Sequence, residues 1–205
     1  MSKTVKKFDA GKLVRTALLI AIIFVMAFTP LGYFKTGGLS ITLLPIPVVI
    51  GAIVMGPATG AVLGLAFGVT SVLQCFGLDP FGTTLIGINP FGLVLTCLIP
   101  RILMGFLTGL IAKGFIRMDK GKTISFAAAS LIGALLNTTF FMSLLILFFY
   151  NTDFIQSIAT SLGTSSPFAF VVAMVGINGV IEAIACCVLG GAISEALYAI
   201  GIKRA

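Results

Sequence analysis

The feature that most constrains this chain is a series of long apolar runs with few charges. The run from Leu13 to Leu31 contains one charged residue, Arg15. About 20 apolar residues cross a hydrocarbon core of about 30 Å as an α-helix, so runs of this length are typical of membrane spans. Charged residues make up only 9% of the chain, against about a quarter in soluble domains. The sequence therefore predicts an all-α membrane protein.

Glycine and proline residues divide the apolar runs, and six helices fit between them. Thr29-Pro30 ends the first helix, and Gly56-Pro57 separates the second from the third. We expect loops in segment 77–90, which is rich in glycine and proline, and in the Ser- and Thr-rich segment 151–167. The second helix is short for a span and is expected to be tilted or partly re-entrant. The predicted helices cover residues 13–31, 43–55, 58–76, 91–115, 124–150 and 168–202 of a single membrane domain, residues 1–205.

The basic residues give these helices an orientation. Six spans place both termini, the turn between the second and third helices, and the loop between the fourth and fifth on one side. That side carries 11 of the 13 Lys and Arg residues, and the positive-inside rule makes it cytoplasmic. We therefore expect a multi-pass protein of the cell membrane with both termini in the cytoplasm. The exceptions are Lys35, in the external loop after the first helix, and Arg101, within the fourth helix.

Several kinds of chemistry lack the residues that they need. The chain contains no histidine, which excludes histidine-dependent triads and histidine-ligated metals. Its four cysteines lie in apolar runs without the C-x-x-C spacing of zinc or redox sites, and we expect them to be small buried residues. The sequence therefore predicts no catalytic residues, no metal and no cofactor.

The residues around two further motifs argue against ATP and nucleic acid as partners. Gly121-Lys122-Thr123 is similar to the end of a phosphate-binding loop, but Ile116 stands where that motif requires its first glycine. The basic residues cluster at the ends of apolar runs, so they are better explained by topology than by binding to nucleic acid. We expect neither ATP hydrolysis by this chain nor a nucleic acid partner.

Arg101 is the most informative residue inside a predicted helix. It lies about ten residues from the outer end of that helix, which at about 1.5 Å per residue places it about 15 Å deep. A charge at that depth costs at least a few kcal/mol unless it is compensated. A guanidinium can bind the carboxylate or phosphate of a small ligand, and the neighbouring Pro100 indicates a locally opened backbone. The alternative is an internal salt bridge with Glu182.

Other polar residues lie at a similar depth. Asn178 and Glu182 are four residues apart and therefore share a helix face, and Asn137 is central in the fifth helix. Each asparagine could contact a ligand or join two helices by a hydrogen bond. Gln74 is expected to face the loops. The candidate substrate-binding residues are Arg101, Asn137, Asn178, Glu182 and Lys35.

Two patterns of small residues concern helix packing. Gly56, Gly60, Gly64 and Gly68 recur every four residues, which allows two helix backbones to approach closely. In the first helix, Ala17 and Ala21 lie one turn apart and form a smooth groove against which another helix could dock. Packing within the chain is the alternative for that groove.

The sequence resembles the S components of energy-coupling factor transporters, which are small six-helix membrane proteins that bind a vitamin for import. The resemblance spans nearly the whole chain. It rests on the basic N-terminal segment leading into Ala17 and Ala21, on LLPIPVVIGAIVMGPATGAVLGLAFGVTS at 43–71, and on NPFGLVLTCLIPRILMGFLTGLIAKG at 89–114.

The family resemblance implies a ligand pocket in the outer half, formed by the last three helices and capped by the loop after the first. It implies ligand contacts for Arg101, Asn137, Asn178 and Glu182. It also implies that Ala17 and Ala21 dock on a transmembrane coupling subunit driven by two cytoplasmic ATPases, and that the loaded S component topples in the bilayer.

The ligand and the protein class remain open at this point. The polar residues look most like those of pantothenate-specific members, where arginine suits a carboxylate and the other groups suit hydroxyls and an amide. Riboflavin and biotin are alternative vitamins. A stand-alone carrier or channel is the alternative of a different class, and a small membrane enzyme is disfavoured because no nucleophile and base are paired.

Overall fold

The computed structural model describes residues 10–30, 32–35, 40–118 and 123–201, and these are mostly helical. Five stretches among them are long and apolar enough to cross a membrane, which confirms the all-α membrane fold. A short antiparallel hairpin, with Phe34 opposite Ile41, follows the first helix. The elements in chain order are α1 (Ala10–Ala27), β1 (Tyr33–Lys35), β2 (Ser40–Thr42), α2 (Pro45–Met55), α3 (Pro57–Gln74), α4 (Pro80–Ile88), α5 (Pro90–Met118), α6 (Thr123–Phe149), α7 (Asp153–Ser161), α8 (Pro167–Ala185), a π-helix (Cys186–Gly190) and α9 (Gly191–Ala199).

The α2 helix forms the centre of the bundle. All 11 of its residues are buried, and it packs against α1, α3, α5 and α6. A helix that is apolar on every face is stable only when other helices enclose it. At about 1.5 Å per residue, α2 covers about half of a hydrocarbon core. It corresponds to the second predicted helix, which was expected to be too short for a simple span.

The α3 and α5 helices make the closest helix pair, and glycines allow it. A Cβ atom at Gly60 would overlap the carbonyl oxygen of Gly105, and one at Gly64 would overlap that of Arg101. These contacts confirm the predicted glycine stripe at Gly60, Gly64 and Gly68. Gly56 differs, because it forms the turn between α2 and α3 with φ 100°, a conformation that favours glycine.

The segments expected to be loops contain two additional helices, so those expectations were wrong. Asp79 accepts a hydrogen bond from the Gly82 amide at 2.9 Å and caps α4, which begins at Pro80. Thr152 caps α7 in the same manner through Ile155. Proline at the first helical position and Asp or Thr before it are helix-start signals. The same residues that interrupt one helix begin the next.

The last predicted helix, 168–202, is not continuous in the structure. Gly176 has φ 37° and ψ −135°, which breaks α8 in a conformation that residues with a side chain rarely adopt. Further along, the chain passes through the π-helix before α9. The predicted end at Ile202 lies outside the described residues.

Candidate functional site

A cavity of about 810 Å³ opens at the end of the bundle where α1 and α3 finish and α5 begins. Binding sites for small molecules typically have volumes of about 300–1,000 Å³. Side chains from α3, α4, α5, α6 and α8 form its walls, and Thr42 at the end of the hairpin contributes to its rim. Its polar lining residues are Thr29, Thr42, Ser71, Gln74, Asp79, Arg101, Asn137, Thr138 and Glu182.

Arg101 is held inside this cavity by a hydrogen bond that the neighbouring Pro100 makes possible. In a regular helix, the amide of residue 100 donates to the carbonyl of Thr96, but proline has no amide hydrogen. The guanidinium of Arg101 folds back and donates from Nη1 to that carbonyl at 2.8 Å. Pro100, which was predicted to open the backbone, therefore leaves the Thr96 carbonyl free to accept from Arg101 and fix its side chain.

Two aromatic rings flank the guanidinium. Its central carbon lies 4.5 Å from the ring centre of Phe141 on α6 and 5.3 Å from that of Phe67 on α3. Cation–π contacts of this kind stabilise a charge withdrawn from water. The residue is only 9% exposed, and no described residue forms a hydrogen bond with its Nε atom. One donor of a buried cation is thus left for a further acceptor.

Asn137 lines the same cavity and has a second unpartnered polar atom. It is 5% exposed, and its Oδ1 atom has no hydrogen-bond partner among the residues that the structure describes. It lies one helical turn before Phe141, so one face of α6 carries both the aromatic ring beside Arg101 and this amide. Leaving a buried polar atom unpaired costs about 1–3 kcal/mol, which a bound ligand with a suitable donor would recover.

Glu182 lies on the α8 wall, and its carboxylate binds the chain backbone. Its Oε1 accepts a hydrogen bond from the amide of Thr42 at 2.6 Å. Arg101 and Glu182, which are both described, do not form the salt bridge that was the alternative. Arg101 donates instead to the carbonyl of Thr96, and Glu182 accepts from the amide of Thr42. Glu182 thereby joins the end of the hairpin to α8 at the cavity wall.

Sequence reasoning did not identify Asp79 as a cavity residue and misplaced Gln74. Asp79 lines the cavity while its carboxylate caps α4, and it lies in segment 77–90, which was expected to be a loop. Gln74 does not face the loops, because it is buried and donates to the carbonyl of Ala27 at the end of α1. Both cavity carboxylates bind backbone amides, whereas Arg101 keeps a free donor.

The remaining predicted site residues have different outcomes. The side chains of Lys35 and Asn178 lie outside the described residues, although their backbones belong to β1 and α8. Ala17 and Ala21 are exposed on α1, so they do not pack against the rest of the described chain. Cys75, Cys97 and Cys186 are buried free thiols, as expected, and the first two also line the cavity.

Comparison with known proteins agrees with this architecture. The chain is 28% identical over 204 residues to a pantothenate transporter of Leuconostoc mesenteroides, which covers 93% of this chain and 96% of that protein. It is 32% identical over 167 residues to a pantothenic acid transporter of Lactococcus lactis, covering 76% of each chain. Residues 11–192 match the family described as the substrate-specific component of ECF transporters. The chain therefore belongs to the family of substrate-specific components of energy-coupling factor transporters, which are transport proteins and not enzymes.

Proposed function

We propose that this chain binds pantothenate in the cavity around Arg101. The observation that carries the proposal is that Arg101 and Asn137 line one cavity and that Arg101 Nε and Asn137 Oδ1 are buried without partners in the described part of the chain. A carboxylate would accept from the guanidinium, and a ligand hydroxyl or amide N–H would donate to Asn137. Pantothenate carries a carboxylate, hydroxyls and one amide. Two relatives named for transport of this vitamin support the choice.

The apolar part of the cavity suits a small and flexible ligand. Phe81, Leu85 and Leu93 line it, and Phe141 is already stacked against the guanidinium of Arg101. Riboflavin would require a flat aromatic slot, and the Phe141 ring is used for Arg101 instead. Biotin also has a carboxylate and is the main competitor for the same arginine.

Native mass spectrometry of the protein purified in mild detergent tests the identity of the ligand. We expect a bound species with the mass of pantothenate, and we expect added pantothenate to raise its occupancy. A flavin or biotin mass at the same site would contradict the proposal. Arg101→Ala serves as the matched sample and should elute as a folded protein without the bound species.

We also propose that the chain works with a transmembrane coupling subunit and two cytoplasmic ATPases, with both termini in the cytoplasm. Ala17 and Ala21 are exposed on α1, where only Ile23 and Ala27 are buried. Small residues on an uncovered helix face allow close packing by a second membrane helix. On this account the chain alone binds the vitamin, and transport requires the coupling subunit, the ATPases and ATP.

Liposome transport distinguishes this arrangement from a stand-alone carrier or channel. The chain alone should bind pantothenate without moving it, and uptake should appear only with the complete ATPase module. Ala17→Trp should leave binding intact and reduce uptake strongly, because the indole would hold the two helices apart. Ile22→Trp is the control, because Ile22 is 39% exposed and lies on a different face of the same helix from the alanine pair. Uptake by the chain alone would contradict the proposal.

A further inference from the structure

A second cavity of about 560 Å³ lies at the opposite end of the bundle from the Arg101 cavity. It forms where α1 begins, α5 ends and the turn from α2 enters α3. Three cations line it: Lys12 on α1 and the pair Lys113 and Arg117 on α5. Among its described lining residues there is no carboxylate. The vitamin-binding proposal gives this cavity no role.

The α5 face that carries two of these cations continues as an apolar stripe. Phe106 and Leu110 precede Lys113 and Arg117 at spacings of three and four residues, so all four share one helix face. Phe106 is 40% exposed and Leu110 is 42% exposed, which places both on the outer surface of the bundle. Exposed apolar residues thus lead directly to a cationic cavity.

We propose that this cavity binds the phosphate group of an anionic phospholipid, with an acyl chain lying along Phe106 and Leu110. The cations match the phosphate of such a lipid, and the apolar helix face matches its acyl chain. Basic clefts of this kind between membrane helices bind anionic headgroups. On the orientation proposed above, this end of the bundle faces the cytoplasmic leaflet. A free phosphate ion would use the cations but would have no use for the stripe.

The α2–α3 turn leaves room for the headgroup. Gly56 precedes α3 without a side-chain cap, and Pro57 and Ala58 line the cavity wall beside the cations. The α5 backbone is pressed against this turn, because a Cβ atom at Gly109 would lie 2.5 Å from the Cα of Pro57. The distance between Lys113 and the turn is therefore set by rigid backbone contacts rather than by flexible loops.

Retention of lipid by the purified full-length chain tests the proposal. The protein is reconstituted with phosphatidylglycerol in an excess of phosphatidylcholine, extracted in detergent and examined by native mass spectrometry. We expect phosphatidylglycerol to be retained selectively. The double variant Lys113→Gln/Arg117→Gln should retain about 30-fold less, because each surface cation contributes on the order of 1 kcal/mol to anionic lipid binding.

Two control variants separate this cavity from a general charge effect. Arg15→Gln removes one cation from α1 outside the cavity and should retain lipid as the unmodified chain does. The exchange Lys113→Arg/Arg117→Lys keeps both charges and should also retain it. Equal retention by the double glutamine variant, or an equal loss in Arg15→Gln, would overturn the proposal. An unchanged melting temperature establishes that each variant is folded.

Two further outcomes identify a different occupant and also overturn the proposal. Displacement of retained phosphatidylglycerol by millimolar inorganic phosphate would identify a site for the free anion. Full lipid retention by the double glutamine variant, combined with loss of the coupling subunit on co-purification, would identify a protein-docking surface. Neither result bears on pantothenate binding, because none of these residues lines the Arg101 cavity.

Discussion

Replacing Pro100 with alanine should weaken ligand binding while leaving the fold intact. Alanine restores the amide hydrogen that a regular helix donates to the Thr96 carbonyl. The Nη1 of Arg101, which bonds that carbonyl at 2.8 Å, would then compete with the backbone for it. The guanidinium would keep its contacts with Phe67 and Phe141 but would lose the hydrogen bond that fixes its direction.

The magnitude follows from the freedom that Arg101 regains. Immobilising a long side chain costs up to about 1.5–2 kcal/mol in rotamer entropy, and the ligand would have to supply it. At about 1.4 kcal/mol per factor of ten, pantothenate affinity should fall by about 5- to 30-fold. Stability should be unchanged or higher, because proline inside a helix is about 3 kcal/mol less favourable than alanine.

Calorimetric titration of pantothenate together with thermal unfolding measures both quantities. Pro90→Ala is the matched control, because Pro90 begins α5, where its missing amide is not required for a helical bond, and it does not line the cavity. It should bind with unchanged affinity. Unchanged affinity in Pro100→Ala would refute the reasoning, and a parallel fall in affinity and melting temperature would show a general loss of structure instead.

Two further predictions concern residues that position the cavity. Glu182→Ala should speed pantothenate release by about 5- to 150-fold and raise hydrogen exchange at the Thr42 amide, because it removes an acceptor worth about 1–3 kcal/mol. Glu182→Gln keeps an acceptor oxygen and should change both much less; equal effects would contradict the hairpin tether. Gly64→Ala should lower stability by about 1–3 kcal/mol in thermal unfolding, because its Cβ would overlap the Arg101 carbonyl. Gly114→Ala, whose Cβ would meet nothing within 4 Å, should not destabilise, and an equal loss there would contradict close α3–α5 packing.

Local patterns in the sequence were sufficient for much of the helical architecture. Apolar runs indicated the membrane class, and glycines at four-residue spacing indicated a close helix contact along α3, because both signals depend on helix geometry alone. The α4 and α7 helices were missed because Asp79-Pro80 and Thr152 interrupt one pattern while they begin another. The break at Gly176 was missed because a single glycine in an apolar run does not reveal its backbone angles.

The cavity itself was predictable only in part. Arg101 was notable as a charge inside a predicted helix, and Asn137 as a polar residue at a similar depth. Both residues are buried without full sets of partners, and Glu182 accepts from Thr42 instead of pairing with Arg101. These features depend on contacts between elements that are distant in sequence. Glu182 and Thr42 are 140 positions apart, and no local periodicity encodes such a pair.

The central claim is that Arg101 binds the carboxylate of pantothenate, and paired titrations test it most directly. Pantothenate and its neutral alcohol analogue are titrated into the purified chain and into Arg101→Gln. Removing one partner of a buried, hydrogen-bonded charge pair costs about 2 kcal/mol or more, so the variant should lose at least about 30-fold in pantothenate affinity. The unmodified chain should prefer pantothenate to the alcohol by a similar factor, and the variant should show little preference. Equal binding of the two compounds by the unmodified chain, or unchanged pantothenate affinity in Arg101→Gln, would contradict the account.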